Sequence, residues 1–109
     1  MDKVLVTVII AAYNAENFIR HAIDSVLAQT FKDYELIIVD DGSEDCTGSI
    51  CDEYALKDNR IRVIHQCNGG VAVARQVGID NAVGEYSIHF DADDVADSKM
   101  LEEMYATAV

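Results

Sequence analysis

Two aliphatic runs constrain the fold of this chain more than any other feature of its sequence. Val4–Ile10 is a continuous and mostly β-branched run, and Glu35–Val39 carries a second one. Runs without polar alternation are typical of strands that are buried on both faces of a parallel sheet. The first run is followed by Phe18, Ile19, Ala22 and Ile23, whose spacing is helical. The sequence therefore predicts an α/β fold.

The rest of the chain continues this alternation. Further strands are predicted over Ile61–His65 and Glu85–Phe90, and the four helices are predicted to start after a cap at Asn14, to span Thr47–Lys57 and Val71–Val83, and to follow a cap at Asp97 or Ser98. Glu16 is expected in the first turn of the first helix. Regular β-α alternation of this kind implies a mostly parallel sheet. Residues 1–109 are predicted to form one domain.

The composition excludes several classes of function. Eight basic residues against twenty acidic ones give a net charge of −12, so binding to nucleic acid or anionic lipid through a basic patch is not expected. A phosphate-bearing ligand would need a cation, backbone N–H groups, or both. The three cysteines lack C-x-x-C spacing and are interpreted as reduced thiols of a cytoplasmic protein.

Ligands of open α/β sheets bind beyond the carboxyl ends of the strands, so the residues that follow each strand are the candidates for a site. Asp91-Ala-Asp93 follows the fourth strand. If the backbone is still extended there, both carboxylates point to one side and could share a hydrated Mg²⁺ or Mn²⁺. The alternative is a solvated acidic loop before the last helix.

The other strand ends are equally open to two interpretations. Asp41 could accept a hydrogen bond from a base or a ribose, or belong to a simple Asp-Gly turn. Tyr13 could stack on a base or pack against a loop. Gly70 could let the backbone approach a ligand or only turn the chain. Arg75 could face a nucleotide or form a surface ion pair. His65 ends a strand, and His89 is interpreted as a packed histidine that could also support the Asp91 site.

Five ordered blocks of this sequence resemble the family 2 glycosyltransferases, which have the GT-A fold. They are Val8-Ile-Ile-Ala-Ala-Tyr-Asn14, Asp24-Ser-Val-Leu-Ala-Gln-Thr30, Leu36-Ile-Ile-Val-Asp-Asp-Gly-Ser43, Asn68-Gly-Gly-Val-Ala-Val-Ala-Arg75, and the segment from Gly84-Glu-Tyr86 to Phe90-Asp-Ala-Asp-Asp94. The blocks cover nearly the whole chain. The family usually has proline where Ala11 and Ser98 stand and an apolar residue where His89 stands.

The resemblance implies a role for each matching position. Tyr13 and Asp41 would contact the nucleobase, usually uracil, Asp91 would lie near the ribose or diphosphate, and Asp93 would bind Mn²⁺ or Mg²⁺ directly. The nucleotide-binding set that it implies is Ala12, Tyr13, Asn14, Asp41, Gly70, Arg75, Asp91 and Ala92, with Asp93 and Asp91 at the metal. The implied reaction transfers a sugar, with inversion, from a nucleotide diphosphate donor to the hydroxyl of a glycan or lipid-linked acceptor.

In that family the acceptor site and the general base come later in the sequence. The chain is therefore expected to be a donor-binding portion, cytoplasmic and perhaps at the inner membrane face in the full-length protein, with little turnover alone. A non-catalytic nucleotide-binding or interaction domain is the main alternative. A receiver-like phosphoacceptor module and a nucleotidyltransferase fit less well, because the former wants a lysine after a later strand and the latter a basic, glycine-rich loop near the N-terminus.

Overall fold

The computed structural model describes residues 5–93 and 99–108. Strands and helices alternate along these residues: β1 Val6–Ala12, α1 Ile19–Leu27, β2 Tyr34–Asp41, α2 Thr47–Lys57, β3 Ile61–Gln66, α3 Val71–Asn81, β4 Tyr86–Asp91 and α4 Met100–Ala108. The four strands form one sheet in the order β3-β2-β1-β4. Every pairing in it is parallel, which confirms the predicted α/β class.

The two central strands are the two aliphatic runs. All eight residues of β2 are buried, as are six of the seven in β1, because helices cover both faces of the sheet. Alternate side chains serve the two faces: Leu36 and Ile38 pack into the larger core with α1, α2 and α4, while Ile37 and Val39 pack against α3. The prediction that these runs are buried on both sides is confirmed.

The strands extend one or two residues further at their carboxyl ends than the sequence predicted. Ala11, Ala12, Asp40 and Asp41 were placed in loops, but the parallel ladder continues through Ala12 paired with Asp40, and Asp41 is paired with Gln66. The polar residues therefore begin while the backbone is still in the sheet. Their positions are fixed by strand hydrogen bonds rather than by a loop.

The prediction for the start of the first helix was wrong. Helix α1 begins at Ile19 with Phe18 at its cap position and has no acidic residue in its first turn. Asn14 is not a cap: its φ of +48° is in the left-handed region, and its side chain bonds elsewhere. Helix α3 ends at Asn81, two residues before the predicted end. The proposed caps Asp97 and Ser98 lie outside the described residues.

A buried carboxylate at the opposite end of the sheet fixes the approach to β4, and the sequence gave no warning of it. Glu35 accepts hydrogen bonds from the Thr7 hydroxyl at 2.8 Å, from the Val83 amide at 2.8 Å and from the Arg62 guanidinium at 2.9 Å. The carboxylate thus ties β1, β3 and the loop before β4 together. Among the described residues, no helix is long and apolar enough to cross a membrane.

Candidate functional site

The carboxyl ends of the four strands meet at one edge of the molecule. In the ladder, Ala12 lies beside Asp40 and Ala11 lies beside Asp91. The side chains predicted from three different strand ends are therefore brought together at this edge. Two neighbouring clefts open there, and both are lined by Ala11 and Tyr13.

The first cleft has a volume of about 210 Å³ and a largely apolar lining. Asp41 is the charged residue in its wall, and the full lining is Ala11, Ala12, Tyr13, Asp41, Asn68, Gly70, Val71 and Ala74. Gly70 stands at the cap position of α3 with a φ of +96°, a conformation that a side-chain-bearing residue rarely adopts. The glycine turn thus brings the backbone to the edge of this cleft. We call it the Asp41 cleft.

The Asp41 carboxylate is held by the loop before α3. Its Oδ1 accepts hydrogen bonds from the Gln66 side chain at 2.9 Å and from the Gly69 amide at 2.8 Å, and its Oδ2 accepts one from the Gly70 amide at 3.0 Å. Burial opposes ionisation of this carboxyl, but the three hydrogen bonds outweigh it and lower the pKa below the ordinary value. Asp41 is therefore a fixed anion.

The second cleft is larger, about 450 Å³, and more polar. It is lined by Ala11, Tyr13, Asn14, Ala15, Phe18, Asp91, Ala92 and Asp93, and we call it the Asp93 cleft. The Tyr13 ring stands between the two clefts with 48% of its surface exposed. A tyrosine that packs against a loop would be largely covered. The exposed ring leaves a face for a ligand.

The backbone is not extended across the two acidic residues of this cleft, as the sequence analysis assumed. Strand β4 ends at Asp91, and Ala92 and Asp93 lie in a turn. Ala92 packs into the core, whereas Asp91 and Asp93 are exposed. The turn thus anchors its middle residue and leaves both carboxylates at the rim. Asp94, the next residue, lies outside the described residues.

The donor set of this rim suits a hard cation. Two exposed carboxylates close in sequence offer the oxygen ligands that Mg²⁺ and Mn²⁺ prefer. Among residues 5–93 and 99–108, no group of three or more His, Cys, Asp or Glu side chains is arranged to hold a metal ion. Asp91 and Asp93 could therefore hold a cation only together with ligands from elsewhere, such as water or phosphate oxygens.

Arg75 joins the two clefts electrostatically. Its guanidinium lies 3.2 Å from Oδ1 of Asp91, and both side chains are substantially exposed. The sequence analysis left open a surface ion pair or a position facing the ligand. The structure shows the ion pair, and it places that pair at the rim of the Asp93 cleft.

The loops after β1 and β2 are bonded to each other, and we call residues 14–16 and 43–47 together the loop clasp. The Asn14 amide donates to the Ser43 hydroxyl at 3.0 Å, while the Glu44 amide donates to the Asn14 side chain at 2.8 Å. The Ala15 amide donates to the Thr47 hydroxyl at 2.8 Å. Glu16, predicted in the first turn of α1, instead accepts from the Cys46 amide at the start of α2.

The clasp contains functional candidates that sequence reasoning missed. Ser43, Asp45 and Thr47 alternate along the loop, and this pattern of short polar side chains was the available signal. Asp45 accepts a hydrogen bond from the Thr47 amide at 2.9 Å and one from the Glu16 amide. Because the clasp continues directly from Tyr13, it sets where that ring stands. The predicted site residues that the structure gathers around it are Ala12, Tyr13, Asn14, Asp41, Gly70, Arg75, Asp91, Ala92 and Asp93.

Comparison with known proteins decides the family. The family model described as "Glycosyl transferase family 2" matches residues 7–109, which is almost the entire chain. The chain belongs to glycosyl transferase family 2. The resemblance inferred from the five sequence blocks is confirmed.

This family 2 domain has curated relatives in several bacteria. It is 48% identical over 100 residues to the glycosyltransferase EpsJ of Bacillus subtilis, covering 92% of this chain and 29% of the relative. It is 42% identical over 102 residues to the glycosyltransferase GlyG of Streptococcus pneumoniae, covering 93% of this chain and 34% of the relative. The domain thus spans about a third of the length of these relatives.

Solved structures show the same fold. The domain matches residues 1–349 of TarS from S. aureus in complex with UDP-GlcNAc with a TM-score of 0.86 and 32% identity, covering 94% of this chain and 30% of that one. It matches the mannosyltransferase PcManGT from Pyrobaculum calidifontis, in complex with GDP-Man and Mn²⁺, with a TM-score of 0.83 and 25% identity, covering 93% and 31%. The predicted GT-A fold is confirmed.

Proposed function

We propose that this family 2 domain binds the nucleotide diphosphate sugar donor of a glycosyltransferase, with UDP as the nucleotide. The observation that carries the proposal is the trough formed by the two clefts. An apolar cleft with a fixed anion leads past an exposed tyrosine ring into a polar cleft with two exposed carboxylates. A base, a ribose and a diphosphate present the same order of chemistry. A match bound to UDP-GlcNAc supports the proposal.

In this proposal the base lies in the Asp41 cleft. Val71 and Ala74 would contact its apolar surface, and the exposed Tyr13 ring would stack on it. A carboxylate can accept about four hydrogen bonds, and the described protein groups supply three to Asp41. The remaining lone pair can accept the N3–H of uracil. Cytosine presents an acceptor at the same position and would be repelled.

The diphosphate would lie in the Asp93 cleft, where the acidic charge must be offset. Asp93 and Asp91 would hold Mn²⁺ or Mg²⁺, with diphosphate oxygens and water as its other ligands. When bound, such a cation stabilises the negative charge that develops on the departing diphosphate. Arg75 lies close enough to Asp91 to contribute a second positive charge at this rim. Ala12, Asn14, Gly70 and Ala92 would shape the walls of the trough.

For the whole protein we propose that the sugar is transferred to a hydroxyl of a glycan or lipid-linked acceptor with inversion at the anomeric carbon. We assign the general base of that step to no residue of this chain. The role of the described residues is to bind, orient and neutralise the donor. This division of labour makes donor binding the property to measure.

Isothermal titration calorimetry with matched ligands tests the proposal. UDP and CDP carry the same ribose and diphosphate and differ only at the pyrimidine, so they separate base recognition from phosphate binding. We expect UDP to bind more tightly than CDP and to require Mn²⁺ or Mg²⁺. Equal affinities for the two nucleotides, or UDP binding that is unchanged by EDTA, would contradict the assignment of Asp41 or of the metal rim, respectively.

A further inference from the structure

A histidine bridges two carboxylates just behind the loop clasp. His65, the penultimate residue of β3, has its Nδ1 at 2.9 Å from Oδ2 of Asp40 and its Nε2 at 2.8 Å from Oδ1 of Asp52. Asp40 is on β2 and buried, whereas Asp52 is on α2 and exposed. The ring therefore connects a surface helix to the carboxyl end of a central strand.

A glycine on α2 creates the space for this arrangement. A Cβ at Gly48 would lie 2.6 Å from Oδ2 of Asp40 and 3.2 Å from Cε1 of His65. Such a contact would push the ring away from the carboxylate. Gly48, which weakened the sequence-based prediction of α2, thus has a packing role: it admits the imidazole against Asp40.

Hydrogen bonds continue from Asp40 into the clasp and reach the residue next to Tyr13. Oδ1 of Asp40 accepts from the Ser43 amide at 3.1 Å. The Ser43 hydroxyl in turn accepts from the Asn14 amide at 3.0 Å. Asn14 holds a left-handed φ of +48°, which a non-glycine residue adopts only when its surroundings enforce it. The bonds to Ser43 and Glu44 are the enforcing contacts on the described residues.

We propose that His65 is a positioning residue for the donor site: by donating to Asp40 and Asp52 together it fixes Asp40, the loop clasp and hence the Tyr13 ring. The inference rests on the proposed donor-binding function and deepens it, because it makes nucleotide affinity depend on a residue that does not line either cleft. His65 does not touch the ligand. It acts through Asp40, Ser43 and Asn14.

The arrangement makes the donor site sensitive to pH. Both carboxylates can receive an N–H only while the imidazole is protonated, because a neutral ring has a single N–H. The hydrogen bond to Asp40, followed by that to Asp52, raises the pKa of His65 above its ordinary value of 6.5. The other titratable group on the packed elements is the Cys51 thiol, whose pKa burial raises to about 12, so it stays neutral.

The sign of the effect follows from the raised pKa. Stabilisation of the clasp by His65 is complete below the ordinary histidine value and is lost as the pH rises through the higher value of the folded protein. Asp40 or Asp52 then loses its donor. Nucleotide affinity should fall in the same interval, about fivefold if one hydrogen bond to a charged group is weakened.

Nuclear magnetic resonance on the intact chain tests the positioning link without a ligand. We expect the Asn14 and Ser43 amide shifts to titrate with the same midpoint as the His65 ring. The Asp52→Asn variant, altered at an exposed side chain, should keep the fold and move that shared midpoint to lower pH. In His65→Gln the amide titration should disappear, and in His21→Gln, the matched change at an exposed helix position, it should persist. Amides that ignore the His65 titration in wild type and Asp52→Asn would overturn the inference.

UDP titrations with Mn²⁺ across the same pH interval test the link to the donor site. We expect affinity to fall about fivefold in wild type and His21→Gln and to be flat in His65→Gln. Affinity that changes identically in wild type and His65→Gln would overturn this inference and leave the proposed function standing. A wild-type chain whose amides follow His65 but which binds no UDP at any pH would overturn the proposed function, and the donor-site role with it.

Discussion

The two clefts use aspartate in opposite ways. In the Asp41 cleft the carboxylate is buried and receives three hydrogen bonds from the protein. In the Asp93 cleft both carboxylates are exposed, and Asp91 has a single arginine partner. One cleft is therefore complete as folded, while the other carries negative charge that the described protein groups only partly offset.

This difference indicates a division of roles. A fixed anion with a fixed direction selects a ligand edge by hydrogen bonding and contributes to stability as well. Exposed anions at a rim attract a mobile cation and contribute little to stability. Substitutions in the two clefts should therefore separate into those that change folding and binding together and those that change binding alone.

The largest effect is expected at the rim, from Asp93→Ala. Losing a proposed metal ligand should weaken UDP binding in Mn²⁺ about 100-fold. Stability in urea should change by no more than about 0.5 kcal/mol, because the side chain is exposed. Calorimetry and urea unfolding provide the two readouts. Asp33→Ala, an exposed aspartate at the other end of the sheet, is the control and should bind UDP normally.

The next effect is expected in the Asp41 cleft, from Asp41→Asn. The amide cannot satisfy all three donors, so unfolding by urea at pH 7 should require about 2 kcal/mol less free energy. Since the pKa of Asp41 is lowered in the folded chain, its stabilisation is present above the ordinary value and is lost as the pH falls below it. The difference from wild type should therefore shrink near pH 3. A difference independent of pH would contradict the fixed anion.

Between the clefts, Tyr13→Ala should weaken UDP binding about tenfold through lost stacking. Tyr13→Phe keeps the ring and is the matched control, with affinity expected close to wild type. The ring is half exposed, so neither change should alter the midpoint of thermal unfolding by much. An equal loss of affinity in both variants would shift the role of Tyr13 from its ring to its hydroxyl.

The smallest effect is expected from Arg75→Gln. Removing the partner of Asp91 should strengthen binding of Mn²⁺ alone about twofold, because the rim becomes more negative. It should weaken UDP binding in Mn²⁺ by a similar factor. Electron paramagnetic resonance measures the free ion in both cases. Arg20→Gln breaks another exposed ion pair, that with Glu53, and should change neither quantity.

The elements that could be predicted from the sequence are those with a strong local signal. The aliphatic runs of β1 and β2 could belong only to buried strands, and Asp41, Asp91 and Asp93 follow from their places at strand ends. The family resemblance added Tyr13 and its partners. These features depend on residue type and order, which the sequence contains directly.

The features that could not be predicted depend on distant contacts. Asn14 has the residue type of a helix cap, yet Ser43 and Glu44 from another loop hold its side chain. Asp91-Ala-Asp93 looks extended in sequence, but burial of Ala92 turns the backbone there. The His65 bridge joins residues from three elements. Local propensity carries no information on such pairings.

The most direct test of the two-cleft account compares uridine and UDP by amide chemical shifts, each with and without Mg²⁺. We predict that uridine perturbs Gly70 and Val71 equally in both conditions, because the Asp41 cleft is complete as folded. UDP should perturb those amides and, only when Mg²⁺ is present, the amides of Asp91 and Asp93. UDP shifts at Asp91 and Asp93 that are the same without the cation, or uridine shifts away from the Asp41 cleft, would contradict the account.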